Sequence, residues 1–173
     1  MISALTYIGR PADPDAIERL ADTLSALVGG VAAGLVADAV IVTGAAHESV
    51  VTVAEGTGAT LVVRAGGASP WSAGARAARR DWVLCLDAGD VPAEGWIRTL
   101  DRFVNTARPE VALARLRRPH AGLPARLAAH GEGVIGVKGV RAGDLVRRER
   151  LVAGPTMMPR LKPRLLNARL ERA

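Results

Sequence analysis

Two hydrophobic periods alternate along the first 105 residues. Ile2–Ile8 is a short, mostly apolar run and predicts a strand. The turn-forming cluster Gly9-Arg10-Pro11-Ala12-Asp13-Pro14 follows, with Asp13 placed to cap a helix and Pro14 at its first position. Ile17, Leu20, Leu24, Leu27 and Val28 then recur every three or four residues, the stripe of an amphipathic helix that Gly29-Gly30 is expected to stop. Residues 39–42 predict a second strand ending at Thr43-Gly44, residues 47–55 a short helix, and Thr60–Val63 a third strand. Ser69 and Pro70 open a helix over 71–80, and an unbroken apolar run over 82–86 predicts a fourth strand. Residues 92–104 put Trp96, Ile97, Leu100, Phe103 and Val104 on one side of a further helix.

Strand and helix therefore alternate four times, which implies crossover connections. The predicted fold class is α/β: a three-layer sandwich with a mostly parallel central sheet. Beyond residue 105 the periods are shorter. Residues 110–117 suggest a strand, 119–130 a short helix and 133–140 another strand. Residues 144–151 read as the start of a basic helix capped by Asp144, broken at Gly154-Pro155. Pro159 and Pro163 make the tail irregular until 165–170. The domain reading is one α/β domain over 1–154 and a basic C-terminal tail over 155–173.

Composition narrows the function. The chain has 173 residues, enough for one domain, and is 49% hydrophobic but only 3% aromatic. So few aromatics leave no stacking platform for single-stranded nucleic acid, and no nucleic-acid partner is expected. The single cysteine, Cys85, lies inside an apolar run, which excludes an internal disulfide, fits a reducing compartment and makes the thiol inert. The N-terminus lacks a basic region leading into a long apolar stretch, so the expected location is cytoplasmic. Residues 141–173 carry nine Arg or Lys against three Asp or Glu, which accounts for the whole net charge of +6. Such a segment suits a phosphate, an anionic membrane surface at the inner face of the membrane, or nucleic acid, although Arg richness also follows from codon composition alone.

The chemistry gathers at the end of the fourth predicted strand. Asp87 and Asp90 close the run Trp82-Val83-Leu84-Cys85-Leu86 at its C-terminal end, the edge where open α/β sheets hold ligands. Two carboxylates at this spacing suit a hard divalent cation; they equally suit a strand end followed by an Asx-type turn. Elsewhere the motifs are missing. No Gly-x-Gly-x-x-Gly, Walker loop or Gly-x-Ser-x-Gly is present, and His47, His120 and His130 have no ligand spacing.

The segment Ser72-Ala-Gly-Ala-Arg-Ala-Ala-Arg-Arg-Asp-Trp-Val-Leu-Cys-Leu-Asp-Ala-Gly-Asp90 resembles family-2 glycosyltransferases with the A-type, nucleotide-sugar-binding fold. Ile2–Ile8 is similar to that family's first strand, and Ala39-Val-Ile-Val-Thr-Gly44 to its second. Gly139-Val-Arg-Ala-Gly-Asp-Leu-Val-Arg-Arg-Glu-Arg-Leu151 is similar to its late strand and Arg-Arg-x-Leu helix start. The resemblance implies transfer of a sugar from a nucleoside diphosphate sugar to an acceptor. It also implies a divalent metal, manganese or magnesium, held by Asp87 and Asp90, with Asp87, Thr43 and Glu48 facing the nucleotide.

The departures are specific. The middle acid of the motif is Gly89, and the acid expected after the second strand is Thr43. Trp71-Ser72 replaces an Arg-Asn pair, and Arg160-Leu-Lys-Pro-Arg164 has no carboxylate where the base is expected, so the catalytic base is unassigned. The resemblance thus implies a short member with a degenerate site. The alternative is a non-catalytic homologue that acts as a binding or accessory protein. A nucleotidyltransferase would share the layout but needs a Gly-rich first loop.

Overall fold

The unbroken apolar runs form the middle of the molecule. In the computed structural model, which describes residues 1–118, 139–153 and 161–173, strands β1 (Ile2–Ile8), β2 (Val36–Thr43), β3 (Thr60–Val63) and β4 (Trp82–Asp87) lie parallel. Helix α1 (Ala16–Ala32) links β1 to β2, α2 (Glu48–Thr57) links β2 to β3, and α3 (Pro70–Ala77) links β3 to β4. The eight-stranded sheet continues through β7 (Asp144–Arg147), β6 (Leu113–Arg117), β8 (Arg164–Arg172) and β5 (Asp90–Pro92), in the order β3-β2-β1-β4-β7-β6-β8-β5. In this second half β7 runs antiparallel to both β4 and β6, and β5 antiparallel to β8, while β6 and β8 are parallel. The sheet is therefore mixed overall, and its parallel half is the part built from the clean βαβ repeat.

Alternating residues of each strand feed opposite faces, so both need cover. Leu84 and Leu86 of β4 pack with Leu27 of α1 and with Trp96, Leu100 and Phe103 of α4 (Trp96–Thr106). Val83 and Cys85 face the other way, against Trp71 and Ala75 of α3 and Leu151 of α5 (Arg148–Ala153). Each Leu or Val buried in these layers adds roughly 1.5–3 kcal/mol relative to exposure. Trp82 meets Phe103 edge-on at 5.2 Å, which fixes α4 over β4.

Several local expectations change. Helix α1 starts two residues later than the Asp13–Pro14 signal, with Asp15 at the cap position and Asp13 bonded instead to Arg19 at 2.8 Å. It runs through Gly29-Gly30, because Gly30 is a packing residue: a Cβ there would stand 2.5 Å from Trp96. Asp90–Pro92 is a short strand that precedes α4, so the helix expected over 92–104 begins only at Trp96. Asp144 caps no helix; it opens β7, fully buried, and Arg115 of β6 grips it with bonds of 2.6 and 2.9 Å. Burial pushes its carboxyl up, against the pull of Arg115. The segment set apart as 155–173 contributes β8 to the sheet. The elements expected at 119–130 and most of 133–140, the break at Gly154-Pro155, Pro159, His120 and His130 lie outside the described residues.

Candidate functional site

Strand order places the site. The sequence β3-β2-β1 runs outward in one direction and β4 lies on the other side of β1, so the crossovers diverge between β1 and β4. A crevice must open at the carboxyl ends of those two strands. A cavity of about 270 Å³ is found there. Tyr7 and Ile8 at the end of β1, Asp87 and Ala88 at the end of β4, and the loop residues Gly9, Arg10 and Asp13 line it. Ala16 and Arg19 of α1 and Arg172 of β8 complete the wall.

The acidic turn is braced from several sides. Ala88 N–H donates to the Tyr7 carbonyl at 2.9 Å, and Gly89 N–H to the Arg19 carbonyl and the Thr23 hydroxyl, each at 2.8 Å. The Gly89 carbonyl accepts from Ala173 N–H at 2.8 Å. Gly89 has φ +95°, a left-handed conformation that costs glycine little. An acid at this position would be strained, and its Cβ would lie 3.5 Å from Arg172 Nε.

Asp87 and Asp90 are brought together but do different things. Asp90 is wholly buried. Its Oδ2 accepts from Asp87 N–H and Arg118 Nη2, each at 2.9 Å, and its Oδ1 from Arg172 Nη1 at 3.4 Å. Asp87 is half-buried in the cavity wall, and its side chain has no hydrogen bond among the described residues. Burial pushes its carboxyl above the ordinary aspartate range, and the neighbouring Asp90 charge adds to this; Arg172 and Arg118 oppose it.

Those contacts decide how well a divalent cation fits. A hard cation takes several oxygen ligands. Asp90 is wholly buried with Oδ2 committed to Asp87 N–H and Arg118 and Oδ1 to Arg172, Gly89 offers no side chain, and one uncommitted carboxylate remains at Asp87. No group of three His, Cys, Asp or Glu with metal-binding geometry is found among the described residues. This arrangement does not fit the cation.

Thr43 and Glu48 stand away from the cavity wall. Thr43 ends β2, fully buried, with its hydroxyl donated to the Ala45 carbonyl at 2.9 Å. Glu48 opens α2 and is exposed. The cations of the site are what sequence reading missed. Arg172 had a readable signal: Leu166, Ala168 and Leu170 alternate inward along β8, and Arg172 continues that face to the sheet edge. Other arginines of the basic C-terminal segment also turn inward. Arg148 donates to the Ala75 carbonyl at 2.9 Å, and Arg147 lies 4.4 Å over the Trp82 ring. No helix among the described residues is long and apolar enough to cross a membrane.

No protein-family model matches the chain, and no curated protein does. Solved structures do. Glucosyl-3-phosphoglycerate synthase from Mycobacterium tuberculosis, in complex with phosphoglyceric acid, superposes at TM-score 0.57 with 19% identity, over 86% of this chain and 57% of that one. A complex of the synthase from that organism with Mg2+ and uridine diphosphate reaches TM-score 0.59 at 16% identity, over 95% and 68%. Mannosyl-3-phosphoglycerate synthase from Rubrobacter xylanophilus gives 0.57 at 18% identity, over 86% and 53%. The chain thus spans little more than half the length of most of these enzymes. It has the A-type, nucleotide-diphospho-sugar transferase-like fold, with a mixed rather than fully parallel sheet.

Proposed function

We propose that this cavity binds a nucleoside diphosphate sugar and that the chain acts as a glycosyltransferase-like protein, passing the sugar to an acceptor. The observation that carries the reading is the place of the cavity. It sits at the switch point between β1 and β4, with two carboxylates, Asp13 and Asp87, and three arginines in its wall. In sugar transfer the acceptor oxygen attacks the anomeric carbon while the diphosphate departs with the bonding electrons. Negative charge therefore grows on the phosphates, and cations held in place beforehand lower the barrier. The structural neighbours include complexes with uridine diphosphate, uridine diphosphate glucose and Mn2+, which supports the ligand class.

A thermal-shift panel of uridine, guanosine and thymidine diphosphate sugars tests this. A ligand of the native state at a hundred times its Kd adds about 2.7 kcal/mol of apparent stability. One member of the panel is expected to raise the melting temperature, with the gain altered in Asp87→Ala, because that carboxylate stands in the cavity wall. A flat panel, or a gain that Asp87→Ala leaves untouched, overturns the reading. A second reading, binding without transfer, is favoured by Gly89 and by the commitment of Asp90 to two arginines. Stabilisation by a sugar nucleotide, with no nucleoside diphosphate released on long incubation, selects it.

A further inference from the structure

The acidic turn is already neutralised by cations of the chain itself. Asp90 lies at 0% exposure beneath Arg118 and Arg172, whose side chains are 38% and 53% exposed. Arg172 therefore pins the carboxylate with one nitrogen and presents the rest of its guanidinium to the cavity it lines. A guanidinium has five N–H donors, and one bond to Asp90 leaves most of them free for an anion. Arg10 and Arg19 stand in the same wall. Arg10 has no side-chain hydrogen bond among the described residues, whereas Arg19 is bonded to Asp13. Helix α1 also begins in that wall, at Ala16, with no side-chain cap on its first turn. The Ala16 N–H is taken by the Asp13 carbonyl at 2.9 Å, so what the helix start adds there is the positive end of its dipole.

We propose that the diphosphate of the ligand is received by Arg172 and Arg10, with support from Arg19 and the start of α1, and that binding needs no divalent metal. The inference rests on the nucleotide-sugar reading above. It differs from the sequence expectation in one physical respect: the charge that would neutralise the phosphates is covalently part of β8 and the loop after β1. A Cβ on Gly89 would stand 3.3 Å from Arg19 Cδ and 3.5 Å from Arg172 Nε, so two arginine side chains occupy the space where a further acid would project. An arginine pair also matches phosphate oxygens in a bidentate manner, as a metal ion would by coordination.

Calorimetric titration of the full chain with uridine, guanosine and thymidine diphosphates, each in excess EDTA and then in manganese chloride, tests this. The expected result is that one nucleotide binds with the same affinity in both buffers and more weakly as salt is raised. Arg172→Ala should then weaken binding by about tenfold or more, the scale of a charged hydrogen bond. Arg172→Lys should fall between the two. Because Arg172 also holds Asp90, its substitution can disturb the fold. Arg10→Ala removes a loop side chain that makes no hydrogen bond to the sheet among the described residues and should weaken binding about tenfold by the same argument. Binding that appears only with manganese overturns the inference and leaves the nucleotide-sugar reading standing. So does binding that Arg172→Ala and Arg10→Ala leave unchanged. No binding of any nucleotide in either buffer overturns both.

Discussion

The two halves of the sheet are held together differently. In the parallel half, β3-β2-β1-β4, the buried strand positions are apolar or, at Ser3, Thr6 and Thr43, uncharged, and helices α1 and α3 lie close enough that glycines sit at the contacts. In the mixed half, β7-β6-β8-β5, charged side chains are buried in pairs. Arg115 and Asp144 are 5% and 0% exposed across the β6–β7 ladder, and Asp90 is sealed under Arg118 and Arg172. The first half is specified by shape and area, the second by which cation meets which carboxylate. The cavity lies at their junction and borrows from both: strand ends, Arg10 and Arg19 from one, Arg172 from the other.

The largest effect that separates the halves is expected at the Arg115–Asp144 pair. Removing one partner strands the other charge in a buried site, which commonly costs about 3–5 kcal/mol. Asp144→Ala should therefore lower the free energy of urea unfolding by that much. The double change Arg115→Met with Asp144→Leu, which removes both charges and keeps the volume, should cost far less. A loss below about 1 kcal/mol in Asp144→Ala would mean that the pair is solvated and that the two halves are held alike.

In the parallel half the corresponding weak point is space. A Cβ on Gly74 of α3 would collide with Leu5 of β1 and stand 2.6 Å from Val42 of β2. Gly74→Ala should destabilise the chain by about 1–3 kcal/mol, the usual cost of overpacking. Gly56 of α2 has nothing within 4 Å of its built Cβ. Gly56→Ala should therefore stabilise by about 0.5–1 kcal/mol through the entropy of the unfolded chain. Denaturant midpoints of the two variants that move in opposite directions confirm that contact with the sheet, and not the helix itself, sets the cost.

This contrast also explains what could be read from the sequence. The parallel half repeats one instruction, a short apolar run and then an amphipathic stripe, and each run needs no partner to be recognised. Thr60–Val63 and the run ending at Leu86 fall where the pattern puts them. Asp144 was opaque because its meaning depends on Arg115, twenty-nine residues earlier in the chain. Nothing local distinguishes a buried strand aspartate from a helix cap when both follow Gly143. The acidic turn was legible as a place, at the end of β4, but the role of Asp90 was not. Its partners Arg118, just past the end of β6, and Arg172 of β8 lie 28 and 82 residues away. Arg172 looked like part of a basic surface because net charge carries no direction; only the inward alternation of Leu166, Ala168 and Leu170 gives it one.

The smallest effect tests whether the junction is as charged as the contacts imply. Burial and the Asp90 carboxylate raise Asp87 above its ordinary value of 3.8 in the folded chain, so its ionised form is disfavoured by folding. Below 3.8 the group is protonated in both states and carries no penalty. As pH rises through the folded value the folded chain must release a proton it holds more tightly than the unfolded chain does, and stability falls. Asp87→Asn removes that penalty while keeping the shape. Its melting temperature should therefore exceed the parent's near neutral pH, with the difference shrinking as pH drops toward and below 3.8. Arg172→Ala should enlarge the gain from Asp87→Asn, since Arg172 is one of the two charges that offset the shift. A pH-independent difference would place Asp87 in free solvent. Arg118 and Arg172 would then be balanced by Asp90 alone, and the charge of the mixed half would not reach Asp87 in the cavity wall.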